Sequence, residues 1–160
     1  MDCNIAAKLK TLQHRITLIG YGNDLRSDDG VGQKIADIVS HWGVPNLESL
    51  AVPQLTPELA ETLSQTDIAI FVDAYPANQN DDLQIVELKP ASNPNSVIGH
   101  TSDPSTLLTL TEQLYQHTPK AWLVAIPATN FDLGETLSLL TEKAMADALE
   151  EIDYLIRHPE

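Results

Sequence analysis

Three features of this sequence place side chains where metal or acid–base chemistry could be done. Two adjacent aspartates, Asp28 and Asp29, lie in the glycine-rich stretch GYGNDLRSDDGVG, residues 20–32. Asp73 follows directly on the apolar run IAIFV, residues 68–72, and His100 lies in the segment SVIGHTSDP. Carboxylate oxygens and an imidazole nitrogen suit a divalent transition metal and leave positions open for water or substrate. Each residue also has a plainer reading. An acid at a helix start can cap it, for about 0.5–2 kcal/mol, although two acids exceed what one cap needs. Asp73 could hold a turn by accepting backbone N–H groups, yet a carboxylate beside a buried strand needs a partner or a task. A loop histidine is usually only solvated, but long aperiodic loops in compact domains are often functional.

The glycine-rich stretch begins like a nucleotide loop and does not finish like one. Gly20 and Gly22 fit the first two positions of GxGxxG, but Leu25 stands at the third. No GK[ST] ending is present, and a phosphate would have to approach Asp28 and Asp29. The glycines instead suit a tight strand-to-helix turn, with Gly30 and Gly32 as small residues where the helix starts close to a sheet. No HExxH motif or serine or cysteine nucleophile motif occurs.

Strands and helices must alternate to position these groups. Residues 15–22 read as a strand ending in the glycine turn. Residues 28–43 read as a helix, because Val31, Ile35, Ile38, Val39 and Trp42 share one face. Residues 46–52 form a weaker strand. Thr56-Pro57-Glu58 opens a short helix to about residue 64, with Thr as cap and Pro in the first turn. Residues 68–72 form an apolar central strand, and 83–88 an alternating one. Residues 89–103 read as a long loop and 104–116 as a helix. Residues 121–126 form a last buried strand, and 138–157 a C-terminal helix buried through Ala144, Ala148, Ile152 and Leu155. This order predicts a single α/β domain over residues 1–160, a three-layer αβα sandwich around a mostly parallel sheet. Residues 1–14 read as a flexible N-terminal extension. Sites in such sheets form at the carboxyl ends of the strands.

Composition narrows the function. The 160 residues are 42% hydrophobic, enough for a core. Acids outnumber bases 23 to 9, a net charge of −14, which argues against a nucleic-acid partner and suits a cation or a protein. One cysteine excludes an internal disulfide or a cysteine zinc site, so a metal would fall to histidine and carboxylate. With no leader-like or membrane-length apolar run, the expected location is the cytoplasm, as a monomer.

The motifs together resemble the [NiFe]-hydrogenase maturation endopeptidases. GYGNDLRSDDGVG looks like that family's N-terminal signature, and VPQLTPEL (52–59) like its second loop and helix. FVDA (71–74) is similar to its apolar strand ending in Asp-Ala, and His100 with Pro104 to its His-x-x-x-Pro segment. Ile126-Pro127, Gly134 and Leu137-Ser138 resemble its last strand and helix start. The resemblance implies that Asp29, Asp73 and His100 bind nickel presented by the substrate, the precursor of the hydrogenase large subunit. A C-terminal peptide is then removed, with a metal-bound water or polarised carbonyl assisting. The free enzyme need not hold the metal. Asp28 would act as a supporting residue or base. Asn23, Arg26, Gln54 and Thr56 would contact substrate. Where many relatives have Gly-Gly-Thr, this chain has Pro53-Gln54-Leu55-Thr56, similar to enzymes serving bidirectional, NAD-linked hydrogenases. Two rivals stand beside this reading. A peptidyl-tRNA hydrolase-like enzyme shares the Gly-x-Gly-Asn turn but needs a basic face. A non-catalytic nickel or precursor-binding chaperone could use the same ligands without hydrolysis.

Overall fold

Strand and helix alternate along the computed structural model, which describes residues 14–91 and 103–159. The order is β1 (Ile16–Tyr21), a 3-10 turn (Ser27–Gly30), α1 (Val31–Ser40), β2 (Leu47–Val52), α2 (Leu59–Ser64), β3 (Ile68–Pro76), β4 (Gln84–Leu88), α3 (Pro104–Tyr115), β5 (Lys120–Ala128) and α4 (Leu139–Arg157). The expected N-terminal extension falls on residues of which all but His14 lie outside the described ones.

The five strands form one sheet in the order β2-β1-β3-β5-β4. Every neighbouring pair is parallel except β4 and β5. Both faces of the sheet are covered, as a mostly parallel sheet requires. On one face α1 and α4 pack against Ile16, Leu18, Ile70 and Val124, with Ile35, Val39, Ala148 and Ile152 in the contact. On the other, α2 and α3 bring Leu63, Leu107 and Leu108 against Ile19 and Phe71. The alternation of Leu18 and Ile19, and of Ile70 and Phe71, between the two cores is the period-two signature of strands. The three-layer αβα architecture expected from the sequence is the observed one.

Three differences from the sequence reading bear on the site. The first helix opens as a 3-10 turn and becomes α-helical only at Val31. The second starts at Leu59, while Thr56 and Pro57 form a turn whose carbonyls accept the N–H groups of Leu59 and Ala60. Asp73 does not follow β3 but lies inside it, because pairing with β5 carries the strand on to Pro76. β1 has by then ended, its last pair with β3 being Gly20 with Val72. Asp73 therefore stands at the lip where the β1–β3 pair opens. This lip is also where strand order reverses: the chain leaves β1 for β2 on one side and returns to β3 on the other. Crevices at such reversals are the usual ligand sites of open α/β sheets.

Candidate active site

Glycine sets how close α1 comes to this lip. A Cβ on Gly20 would collide with the carbonyl of Gly32, and one on Gly32 would stand 2.6 Å from the carbonyl oxygen of Val72. Only hydrogen at both positions lets the first turn of α1 rest on β1 and β3. Gly22 has φ +141°, a conformation that L side chains rarely adopt, and it lies against the Asp29 backbone carbonyl. The turn brings Asp29 back towards the sheet, where its Oδ2 accepts the Asn23 N–H at 2.7 Å.

Asp73 meets it there. The Asp73 Oδ1 accepts the N–H of Ala74 at 2.8 Å, and the Tyr21 hydroxyl lies beside its carboxylate. Burial pushes the Asp73 carboxyl up to about 6; the Ala74 hydrogen bond opposes this, the negative charge of Asp29 adds to it, and the nearby Tyr21 hydroxyl opposes it. Burial and the neighbouring Asp73 charge push the Tyr21 hydroxyl well above the ordinary tyrosine range. Among the described residues, no lysine or arginine ion pair neutralises either aspartate. Two like charges without a counter-ion at the edge of a core form a site that a cation would relieve.

Asp28 faces the other way. It is fully buried, and both its oxygens are occupied: Oδ2 accepts the N–H groups of Thr129 and Asn130, each at 2.9 Å, and the Ser138 hydroxyl at 2.7 Å. Its Oδ1 accepts the Ser138 N–H at 2.7 Å. Burial alone would raise this carboxyl, but the bonds from Ser138, Asn130 and Thr129 outweigh it and hold the carboxyl below its ordinary value. Neither aspartate caps its own helix. Asp28 instead ties the β1–α1 loop to the segment that opens α4. The same two loops are joined by Ser27 N–H to the Gly134 carbonyl at 2.8 Å, and by Gly134 N–H to that of Leu25 at 2.9 Å. A buried, fully bonded Asp28 braces the loop behind Asp29.

The remaining expected residues are spread around the lip. Asn23 is exposed, and its side-chain oxygen accepts the Leu25 N–H. Arg26 donates through Nε to the Phe131 carbonyl at 3.2 Å, which engages it with the β5–α4 loop. Leu55 is buried and anchors the β2–α2 loop, leaving Gln54 exposed and Thr56 partly so at the carboxyl end of β2. His100 lies outside the described residues. The described chain resumes at Asp103, which caps α3 by accepting the Ser105 N–H. Asp103 is close enough to Tyr21 that its charge helps raise the tyrosine hydroxyl. Among the described residues, no group of three His, Cys, Asp or Glu side chains is arranged to hold a metal.

This arrangement sits on a scaffold with known counterparts. A [NiFe] hydrogenase maturation protease, HycI from Thermococcus kodakarensis, superposes with a TM-score of 0.69 over 96% of this chain and 99% of its own, at 18% identity. The hydrogenase maturating endopeptidase HybD from E. coli gives 0.68 over 91% and 93%, at 19% identity. A hydrogenase 2 maturation peptidase from a Thaumarchaeota archaeon gives 0.68 over 89% and 97%, also at 19%. The fold is that of the solved hydrogenase maturation proteases. No protein-family model and no curated protein matches the sequence.

Sequence reasoning missed Tyr21, Thr129, Asn130 and Ser138 as parts of the site. Tyr21 had a usable signal, because period two places it on the same face of the sheet as Ile19. The other three had none, since they meet Asp28 across roughly a hundred residues of chain.

Proposed function

We propose that this chain is a [NiFe]-hydrogenase maturation endopeptidase. It removes the C-terminal extension of a large-subunit precursor after nickel insertion, with the substrate's nickel bound by Asp29, Asp73 and His100. The observation that carries the reading is the convergence of Asp29 and Asp73, without a counter-cation among the described residues, at the strand-order reversal of a maturation-protease fold. The arrival of Asp103 beside Tyr21, three residues after His100, supports His100 as the third ligand. Nickel carried by the precursor is part of the substrate and would polarise the scissile carbonyl or a bound water. On the protein's side, Asp28 fixes the loop that bears Asp29, and Tyr21 and the Ala74 N–H orient Asp73. The exposed Gln54 and the partly exposed Thr56 would distinguish precursors, and the Pro53–Thr56 sequence favours that of a bidirectional, NAD-linked hydrogenase. Processing of such a precursor is cytoplasmic work.

The test is a mass-spectrometric cleavage assay with nickel-loaded precursor and with the same precursor lacking nickel. Loss of a C-terminal peptide only from the loaded form, abolished by Asp29→Asn, Asp73→Asn and His100→Ala, is the expected result. Equal cutting of nickel-free precursor would sink nickel recognition. Binding of a cognate precursor without any change in its mass would replace the endopeptidase with a binding chaperone.

A further inference from the structure

The lip that holds Asp73 also carries a strand edge that no described strand pairs. β1 leaves β3 after the Gly20–Val72 pair, while β3 continues with β5 through Asp73–Ala125 to Pro76–Ala128. Four residues of β3 therefore have a neighbour on one side only. Backbone groups alternate sides along a strand. Ala77 donates its N–H to the Ala128 carbonyl of β5 at 3.0 Å, so Tyr75 and Asp73 also face β5. Ala74 and Pro76 face the side that β1 has vacated.

This edge is built unlike an ordinary strand edge. The Ala74 N–H is already taken by the Asp73 carboxylate at 2.8 Å, and Pro76 has no N–H. What remains are two carbonyls, two residues apart, beginning one residue beyond Asp73. Among the described residues, no loop or side-chain donor reaches either carbonyl. Among the described residues, the edge thus accepts hydrogen bonds and offers no free donor. It also lies in the crevice at the strand-order reversal, between the glycine turn that leaves β1 on one face and the β2–α2 loop that leaves on the other.

We infer that the C-terminal segment of the precursor docks here as an added strand, continuing the line of β1. Two alternate backbone N–H groups of the segment bond to the Ala74 and Pro76 carbonyls. This mode rests on the endopeptidase reading and extends it to how the peptide is held. Main-chain bonds give such strand addition its affinity, whatever the side chains, so a tail of varied sequence can be presented in one register to the two aspartates. The edges of β2 and β4 are each separated from β3 by a whole strand, about 4.8 Å of sheet per strand, and cannot bring a peptide to Asp73.

The test replaces single amides of the precursor tail, other than the scissile one, by esters. Each ester removes one N–H without adding bulk. Nickel-loaded precursor carrying each tail, joined by ligation, is cut by the intact protein, and kcat/KM is measured. Losing a neutral backbone hydrogen bond should lower it roughly 2- to 10-fold. The expected pattern is two sensitive positions separated by one insensitive position, within a few residues of the cleaved bond. Equal tolerance everywhere, loss without alternation, or alternation far from the cleaved bond would overturn strand docking while leaving the endopeptidase reading intact. If the all-amide precursor is not shortened, the endopeptidase reading fails and the docking mode fails with it.

Discussion

Replacing Asp73 by Asn is expected to stabilise the metal-free protein while abolishing cleavage. The native carboxyl titrates at about 6 rather than 3.8. At about 1.4 kcal/mol per pH unit, this difference costs the folded state about 3 kcal/mol once both folded and unfolded forms are ionised. The sign follows from proton binding. Between pH 4 and 6 the native state holds the proton more tightly than the unfolded chain, so stability falls as pH rises through that window. Below it both forms are protonated and the cost vanishes. Asparagine removes the charge but keeps an oxygen for the Ala74 N–H and a polar partner for the Tyr21 hydroxyl. For a chain of this length, about 2–4 °C accompanies each kcal/mol, so Asp73→Asn should melt roughly 6–12 °C higher at pH 7.5. At pH 5 the free-energy gap should shrink to roughly half. Calorimetry of wild type and variant at the two pH values, with chelator present, measures both. A variant that melts lower than wild type, or a gap equal at pH 5 and 7.5, would refute the placement of Asp73 as a partly buried carboxyl facing Asp29. Such a charge, costly to the fold, is what a functional site keeps when binding needs it.

Three further changes test the parts that position the site. Asp28→Ala leaves three buried N–H groups and a hydroxyl without their acceptor and should cost about 3–5 kcal/mol in urea unfolding; a loss below 1 kcal/mol would contradict the brace. Gly32→Ala pushes a methyl against the Val72 carbonyl and should cost about 1–3 kcal/mol, with a larger fractional loss of cleavage because Asp29 moves with α1; unchanged activity would show that the close approach is not needed. Ser138→Ala removes both the α4 cap, through the Thr141 N–H, and a bond to Asp28; it should lower stability by about 1–2 kcal/mol, and coupling to Asp28→Ala in a double-mutant cycle should be non-additive.

The sequence by itself determined the alternation of strands and helices, the glycine turn and the candidate acids, because these are written in local spacing. The unbroken apolar run of residues 68–72 and the helical stripe from Val31 to Val39 need only neighbours in the chain to be read. The need for a small residue at Gly32 was legible too, as a helix start set close to a sheet, whereas Gly20 read only as a turn glycine and its contact with the Gly32 carbonyl was not legible. Nor was the division of labour between Asp28 and Asp29. Both read as acids at a helix start, and only folding sends one into a buried network with residues 129–138 while turning the other towards Asp73. The protrusion of β3 past β1 was equally hidden, because strand length is set by the partner: β5 carries the ladder to Pro76 after β1 has turned away at Gly22. Pairings across a hundred residues depend on which surfaces meet, and no periodicity along the chain encodes them. Tertiary structure alone decided that two carboxylates face one crevice with no lysine or arginine partner among the described residues, and that a strand edge no described strand pairs runs beside them.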